Sequence, residues 1–360
     1  DRPLAILNLT LVLFFVTYCI SLLIYGPLSD RFGRKPPLLG GLLLFIGASL
    51  LCAVSVNSWM LISARVIQGL GAGAASSISM AMARDRLEHG IRERVLSQVS
   101  VIMAIAPMVS PMIGSLILQY ASWPWIFICQ GGMGLVALIG VLLTPESHPG
   151  PEAAAEDGPR LWQRYGRILR NYRLLGMIAC NAAIALPLFA FIAGSASIYI
   201  SRFGLAETVF ALFFGANACC FMIGSMTCMR LGRKLGTLTM ITAGYGGVAG
   251  GGLLMLAGIG EGPFWQFALP MGLVTFSLGL SRPPSNNLAL EQVSKDAGTA
   301  SSAMVFTYFM CGAIAMLAVS LDWPDKICFT AWLATFSGTF ALFLWFFLKG
   351  RVRLPGRVQA

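Results

Sequence analysis

Long apolar runs, most of them about twenty residues long, alternate along the chain with short charged or turn-rich breaks. An α-helix needs about 20 consecutive apolar residues to cross the hydrocarbon core of a bilayer. A membrane-spanning β-strand is about half as long and alternates between apolar and polar positions, which these runs do not. We therefore predict eleven helical spans, at 4–28, 38–56, 59–83, 96–119, 123–144, 174–200, 205–229, 237–259, 264–281, 298–320 and 327–348.

Composition supports this interpretation. Hydrophobic residues make up 57% of the 360 residues and charged residues only 11%, with a mean hydropathy of +0.76. A soluble domain carries about 25% charged residues. So few charges do not cover a water-facing surface, so the outer surface must face lipid. The predicted fold class is an all-α, polytopic membrane protein.

The basic residues are distributed unevenly between the two sides of the predicted membrane. Of the 25 Lys and Arg residues, 21 fall in one alternate set of loops and tails and three in the other, while Arg65 lies inside a span. Basic loops stay in the cytoplasm, which predicts a bacterial inner membrane protein with a cytoplasmic C-terminus. The net charge of +10 then matches anionic lipid headgroups. Nucleic acid is not predicted as a partner, because no basic soluble surface is available.

The longest loop divides the chain. We predict an N-terminal bundle at 1–144, a cytoplasmic linker at 145–173, a C-terminal bundle at 174–349 and a cytoplasmic tail at 350–360. The second half of the linker has two interpretations, an amphipathic helix on the inner membrane surface or the basic flank of the next span. The helix is suggested by apolar residues at helical spacing among five arginines: Leu161, Tyr165, Ile168 and Leu169.

A short internal repeat suggests two related halves. Arg31-Phe32-Gly33-Arg34-Lys35 recurs as Arg230-Leu231-Gly232-Arg233-Lys234, 199 residues later, each copy after a long span. We interpret each copy as the start of a cytoplasmic turn. An offset that covers six spans of the same orientation predicts two parallel six-helix bundles. The first half then has five spans before the linker, against six after it.

The stretch from Gly26 to Leu38, Gly-Pro-Leu-Ser-Asp-Arg-Phe-Gly-Arg-Lys-Pro-Pro-Leu, resembles the cytoplasmic motif that joins the second and third helices of the major facilitator superfamily. We expect Gly26 and Gly33 to allow close helix approach and a tight turn. The resemblance implies that Asp30 pairs with basic groups to lock the inner gate. The residues implied in this gate are Gly26, Asp30, Arg31, Gly33, Arg34, Lys35, Arg84 and Asp85.

Arg65-Val66-Ile67-Gln68-Gly69-Leu70-Gly71 resembles the motif of the family's fourth helix. Arg65, Gln68 and Gly69 share one helix face. A charge at this depth requires a cavity, a partner or a path to the surface. One interpretation is that Arg65 snorkels to the nearer membrane surface; the other is that it faces the cavity and couples proton movement to transport.

Ser110-Pro111-Met112-Ile113-Gly114-Ser115 resembles the antiporter motif of the family's fifth helix, with serine in place of two glycines. Pro107 and Pro111 should both bend that helix, and Gly114 completes the motif. This element implies export. Trp123-Pro124-Trp125 and Ala297-Gly298-Thr299 are similar to the bicyclomycin and chloramphenicol resistance branch of drug–proton antiporters.

On this alignment the first predicted span corresponds to the family's second helix. The chain opens at Asp1-Arg2-Pro3 without an initiator Met, and we expect its true start, with the family's first helix, to be missing. No carboxylate lies deep in any predicted span, although a proton-coupled exporter needs a protonatable group that faces the cavity. Either the missing helix holds this group, as we expect, or the expectation of proton coupling fails.

The resemblance places the substrate cavity between helices one, four, seven and ten and their neighbours. An apolar, aromatic cavity with scattered hydroxyl groups would suit a lipophilic small molecule. The candidates, each also explained by lipid or helix packing, are Met103, Phe189, Phe191, Ser195, Tyr199, Phe213, Asn217, Thr275 and Phe276. We expect the glycines from Gly244 to Gly252 to serve close helix packing.

The predicted function is alternating-access export of drug-like molecules in exchange for protons, by a monomer. Within transport, a metabolite or sugar-derivative porter is the alternative, and a non-transporting sensor is another class. An enzyme is disfavoured because no His-Glu-x-x-His or Gly-x-Ser-x-Gly motif occurs. The nine cysteines form no C-x-x-C pair and the two histidines have no partner spacing, so neither a metal nor a cofactor is predicted.

Overall fold

The computed structural model describes residues 4–86, 95, 110, 113–114, 116–144, 161–258, 262–293 and 297–352, and these residues form helices and turns without any strand. The chain divides into two compact units.

The first unit contains four long helices among its described residues. They are α1 (Leu4–Phe32), α2 (Lys35–Ala53), α3 (Ser58–Arg86) and α4 (Pro124–Leu143). The helix α3 packs against both α1 and α2, and α2 also packs against α4. The predicted span 96–119 lies mostly outside the described residues.

The second unit contains one short helix and six long ones. They are α5 (Leu161–Arg170), α6 (Tyr172–Ala196), α7 (Glu207–Leu235), α8 (Thr237–Ala257), α9 (Trp265–Glu291), α10 (Ala297–Ser320) and α11 (Lys326–Lys349). A π-helix, Ser197–Arg202, continues α6. The helix α9 packs against α6, α7 and α8, while α10 and α11 pack on α6.

Eight of the described helical segments are long and apolar enough to cross a membrane. The two long helices that fall short, α3 and α9, carry charged groups away from their ends, among them Arg65 and Arg282. Large apolar side chains are exposed on the helix surfaces; on α11 they form a stripe at helical spacing, Phe336, Phe340, Phe343 and Phe347, each more than half exposed. Such a surface requires lipid as its solvent, so the chain is a multi-pass membrane protein.

Glycine allows the closest helix contacts, as the sequence predicts for α8. A Cβ atom on Gly251 would lie 2.6 Å from Val274 of α9, and one on Gly252 would lie 2.5 Å from the backbone nitrogen of Thr335 of α11. In the same way, Gly224 of α7 lies directly against the backbone of Phe276 on α9. Such contacts bring backbones together where apolar side chains alone give no preference over lipid.

The repeat does not place its two turns as predicted. Both α1 and α7 have 29 residues, and each ends at a glycine in the left-handed region, Gly33 with φ 87° and Gly236 with φ 84°. The second copy of the motif therefore lies inside the last turns of α7, and Gly232 is helical. The interpretation that both copies start a turn is wrong for the second, because α7 continues one helical turn further before its glycine.

Residues 161–170 form a helix of their own rather than a continuation of α6. The side-chain oxygen of Asn171 accepts a hydrogen bond from the N–H of Leu174 at 3.2 Å and thereby caps α6. Its Nδ2 atom donates to the carbonyl of Gln292 at 2.9 Å. Ile168 is buried and Leu169 is 67% exposed, so α5 is anchored on one face. The location of α5 on the inner membrane surface stays a prediction.

Candidate functional site

Arg65 is a buried cation in the first unit. It lies two turns into α3, and only 9% of its surface is exposed. Its Nη1 atom donates to Oε1 of Gln68 at 2.5 Å, and the guanidinium carbon lies 4.2 Å from the ring centre of Phe14 and 5.8 Å from that of Phe127. Aromatic faces attract cations through their quadrupole. The side chain therefore binds one turn further along α3 instead of reaching back towards the start of the helix.

A polar network surrounds Gln68, which is fully buried. Its Nε2 atom donates to Oγ of Ser49 on α2 at 2.8 Å and to Oε1 of Gln130 on α4 at 2.9 Å. Residues of three helices therefore form the network around the amide of Gln68, whose oxygen accepts the hydrogen bond from Arg65. No carboxylate lies within ion-pair distance of Arg65 in the part of the chain that the structure describes.

Small residues allow this site to form. A Cβ on Gly69 would meet Thr17 and the carbonyl of Phe14 on α1, and one on Gly71 would lie 2.6 Å from the backbone nitrogen of Phe45 on α2. These glycines bring α3 against both neighbours. The predicted face of Arg65, Gln68 and Gly69 is thus divided, since Gly69 faces α1 while Gln68 faces α2 and α4.

The stretch from Gly26 to Leu38 forms the junction between α1 and α2. Gly33 takes the positive φ of the turn, and Nη1 of Arg34 donates to Oγ of Ser29 at 2.8 Å. The Nζ atom of Lys35 donates to the carbonyl of Leu142 at 2.9 Å and to that of Thr144 at 2.8 Å, at the end of α4. Arg31 is exposed, with its guanidinium 5.4 Å from the ring centre of Phe32.

Part of the implied gate and of the antiporter motif lies outside the residues that the structure describes. The side chains of Asp30, Arg84 and Asp85, and all of Met103, Pro107 and Pro111, lie outside the described residues. The expected close approach at Gly26 is not found, because a Cβ there would meet no atom within 4 Å among the described residues. A Cβ on Gly114 likewise would meet no atom within 4 Å among the described residues.

Three of the cavity candidates form one aromatic cluster in the second unit. The rings of Tyr199 and Phe213 stack with centres 5.5 Å apart, and Phe191 meets Tyr199 edge-on at 6.5 Å. The cluster also includes rings that the sequence did not single out: Phe210, Phe214, Phe264 and Phe267. Phe191 and Tyr199 are fully buried, so these rings form packed core.

The remaining candidates lie in separate groups. Thr275 of α9 donates to Oδ1 of Asn217 of α7 at 3.1 Å. Phe189 lies elsewhere, 5.3 Å from the ring centre of Tyr308 on α10, and Phe276 packs beside Cys228 and Met240.

Ser195 and Tyr199 have buried hydroxyl groups with no hydrogen-bond partner among the described residues. Both amide atoms of Asn181, on the same helix, share this property. Buried polar atoms are ordinarily paired with protein or water. Asn181 was not predicted, and its one signal in the sequence is a lone amide in an apolar run.

Arg282 also lies inside a long helix, nine residues before its end. Its guanidinium carbon lies 3.9 Å from the ring centre of Tyr308. The sequence predicted a span that ends at 281 and a loop at Arg282, but α9 continues to Glu291. The loop assignment of Arg282 is therefore wrong. The apolar run ends at Arg282, but the helix does not, and the ring of Tyr308 is the partner of the charge.

The long apolar helices and a buried arginine held by neutral groups are typical of a multi-pass membrane transporter. Residues 3–316 match the family model described as Major Facilitator Superfamily. The chain belongs to this superfamily, and it is therefore a transporter of small-molecule substrates rather than an enzyme.

Curated relatives and solved structures agree with this family. The chain is 30% identical to a bicyclomycin resistance protein homolog of Haemophilus influenzae, over 85% of this chain and 77% of the relative. It is 29% identical to the multidrug transporter MdfA of Yersinia pestis, over 84% and 75% of the two chains. The xylose transporter XylE from E. coli has the same fold, with a TM-score of 0.74 at 15% identity over 99% of this chain and 89% of that chain.

Proposed function

We propose that the protein exports lipophilic, drug-like molecules from the cytoplasm in exchange for protons. It works by alternating access, as a monomer surrounded by lipids of the bacterial inner membrane, with its C-terminus in the cytoplasm. The relatives named for bicyclomycin resistance and for multidrug transport support the substrate class. A relative of lower identity, 24%, is named for chloramphenicol resistance.

The proton-coupling half of the proposal rests on one observation, the binding of Arg65 by neutral groups. A guanidinium keeps its charge under all ordinary conditions. Here that charge is buried, and its described partners are an amide oxygen and two aromatic rings. Its positive charge is therefore not neutralised by them.

A buried cation of this kind changes the proton affinity of an acid beside it. An opposite charge within about 4–6 Å favours the ionised form of a carboxylate. A carboxyl group that approaches Arg65 releases its proton, and a carboxyl group that takes up a proton loses its attraction to Arg65. Proton binding is thereby linked to which groups contact Arg65, which is the requirement of an exchanger.

The proposal also gives the other predicted sites their expected roles in gating and in substrate binding. The turn at Gly33, with Asp30, Arg31, Arg34, Lys35, Arg84 and Asp85, controls opening to the cytoplasm. The pair Asn217–Thr275 supplies hydrogen-bonding contacts to substrate, and the aromatic cluster around Tyr199, which is packed core in this structure, supplies apolar contacts where the transport cycle opens it.

A transport assay tests both halves. The intact protein, Arg65→Ala and the control Arg170→Ala, whose arginine is exposed on α5, are produced at matched abundance in an efflux-deficient bacterium. We expect the intact protein and Arg170→Ala to lower the accumulation of several lipophilic drugs, and a proton uncoupler to abolish this. Arg65→Ala should lose most of the effect.

The possible negative results are distinct. Unchanged accumulation across a broad drug panel would reject the drug-export proposal and leave a metabolite or sugar-derivative porter, to be sought with labelled sugars. Export that persists with the uncoupler would reject proton exchange while leaving drug export intact.

A further inference from the structure

We infer that Ser49 and Gln130 are positioning residues that hold the carbonyl oxygen of Gln68 against Arg65. Neither contacts Arg65 in the hydrogen bonds of the described residues; both act through the amide group of Gln68. The inference deepens the proposed proton coupling and rests on it for its functional consequence. Its structural part stands on geometry alone.

The hydroxyl group of Ser49 fixes one end of the amide. Its own proton is donated to the carbonyl of Phe45, one turn back on α2, at 2.7 Å. The oxygen of Ser49 therefore has only lone pairs left for other partners. The Gln68 atom 2.8 Å from it must be the nitrogen that carries hydrogens, not the carbonyl oxygen.

Gln130 takes the second hydrogen of the same nitrogen. The distance from Nε2 of Gln68 to Oε1 of Gln130 is 2.9 Å. An amide nitrogen has two N–H donors, and both are now used, by acceptors on two different helices. The amide of Gln68 is thus held in one orientation, with its oxygen directed at Arg65, 2.5 Å away.

Because the amide group of Gln68 is buried, its orientation decides whether Arg65 has a hydrogen-bond acceptor. Ser49 and Gln68 are both 0% exposed, so water does not replace a missing partner at the amide. If the amide turned by half a rotation, its N–H groups would face the N–H groups of the guanidinium. Arg65 would then lose its acceptor and its fixed position between the rings of Phe14 and Phe127.

The helix packing places Gln130 within reach. A Cβ on Gly131, the next residue, would lie 3.6 Å from Cβ of Ser49, and one on Gly134 would lie 2.9 Å from Ile46. Small residues on this face of α4 therefore let it approach α2. In the sequence, Gln130 is a polar residue in an apolar run, and the glycines beside it are the feature that accompanies it.

The first test compares side chains that have a similar shape but differ in their hydrogen-bonding groups. Ser49→Thr and Ser49→Val have the same shape, but only Thr keeps the hydroxyl acceptor; Gln130→Met removes the acceptor of Gln130 at similar length. We expect Ser49→Thr to export as the intact protein does. Ser49→Val and Gln130→Met should lose about tenfold in uncoupler-sensitive export at matched abundance, a loss of about 1.4 kcal/mol.

The pH profile separates positioning from simple packing. In the proposed exchange, a well-placed Arg65 lowers the pKa of a carboxyl group that approaches it, so a displaced Arg65 lets that pKa rise. We expect the midpoint of the pH profile of export to move to higher pH, by about one unit, in Ser49→Val and Gln130→Met. Lower export with an unmoved profile, or equal export by Ser49→Thr and Ser49→Val, would overturn the inference.

A second measurement does not depend on transport. Thermal unfolding in detergent is compared for Arg65→Met, Gln130→Met and the double variant. Because Gln130 is linked to Arg65 through Gln68 among the described residues, we expect the double variant to lose less stability than the sum of the single losses. Additive losses of stability would reject the positioning role, whatever the transport result. Absence of export by the protein without substitutions would reject the proposed function alone.

Discussion

Lys35 at the start of α2 donates a hydrogen bond to the carbonyl oxygen of Leu142 in the last turn of α4, at 2.9 Å. The same ammonium group donates to the carbonyl of Thr144 at 2.8 Å. The last carbonyls of a helix have no partner within the helix and carry partial negative charge. Lys35 thus links the start of α2 to the end of α4.

Removing this contact should weaken the first unit. We expect Lys35→Gln to lower the free energy of unfolding by about 0.5–1 kcal/mol, because a cation at a helix C-terminus contributes that much. The loss should shrink at high salt, which screens partly exposed charges. Thermal unfolding in detergent at two salt concentrations measures it.

The second copy of the motif supplies a matched control. Lys234 is exposed and makes no hydrogen bond within the described ranges of the second unit, so Lys234→Gln should leave the unfolding temperature unchanged. Equal losses for the two variants would contradict the role assigned to Lys35.

Glycine packing in α8 gives a second prediction. In Gly252→Ala the new Cβ would lie 2.5 Å from the backbone nitrogen of Thr335 and 2.8 Å from the carbonyl of Ala331. Backbone atoms do not move aside as a flexible side chain does, so α8 and α11 must separate. We expect a loss of about 1–3 kcal/mol, as for other overpacked cores, measured by thermal unfolding in detergent.

Gly246 is the control on the same helix. A Cβ there meets nothing within 4 Å among the described residues. Alanine forms helices better than glycine by about 1 kcal/mol, so Gly246→Ala should hold or raise stability. A loss in Gly246→Ala as large as in Gly252→Ala would contradict the assignment of the Gly252→Ala loss to packing of α8 against α11.

The sequence predicts the long helices well because a helix in lipid must be apolar over a fixed length. Its error at α9 has a physical cause. Arg282 and Pro283-Pro284 resemble a loop when only hydropathy is considered, yet the helix continues to Glu291. The ring of Tyr308, 26 residues away on α10, accommodates the charge of Arg282.

The site was predictable only where its residues share a helix. Arg65 and Gln68 are three residues apart, and helical spacing alone brings them together. Ser49 and Gln130 join them from α2 and α4, at sequence separations of 19 and 62 residues. No pattern in one helix shows such contacts, because they depend on how glycines set the distances between helices.

Asp325 provides a prediction on pH at the loop before α11. It pairs with Arg202 at the end of the π-helix and accepts hydrogen bonds from the N–H groups of Ile327 and Cys328, at 2.8 and 3.2 Å. Burial alone would raise the pKa of Asp325, but the Arg202 hydrogen bond, the two N–H groups and the Arg202 charge together hold it below its ordinary value.

A lowered pKa in the folded state means that ionised Asp325 stabilises the fold at neutral pH. This stabilisation is lost as the pH falls below about 4, the ordinary pKa of aspartate, and through the lower folded value. Asp325→Ala should cost about 1–2 kcal/mol at neutral pH, since it removes both the helix cap and the ion pair. Asp325→Asn keeps a cap and should lose less.

Unfolding followed between pH 6 and pH 3 checks the sign. The intact protein should lose stability on acidification more steeply than Asp325→Asn, whose side chain does not titrate. Parallel curves for the two proteins would show that Asp325 contributes nothing through its charge.

Tyr199 gives a prediction in which stability and transport change in opposite directions. Its hydroxyl group is buried without a hydrogen-bond partner among the described residues, while its ring stacks on Phe213 with centres 5.5 Å apart. An unpaired buried hydroxyl costs about 1–3 kcal/mol. We expect Tyr199→Phe to keep the stacking, remove this cost and raise the unfolding temperature.

Transport should respond differently if the hydroxyl group meets substrate in the export cycle, as proposed. Tyr199→Phe should then export drugs with hydroxyl or amide groups several-fold more slowly, and purely apolar drugs at the rate of the intact protein. The control Tyr199→Leu removes the ring, and should lose stability and all export. A Tyr199→Phe protein that is more stable and exports every drug normally would assign Tyr199 to packing alone.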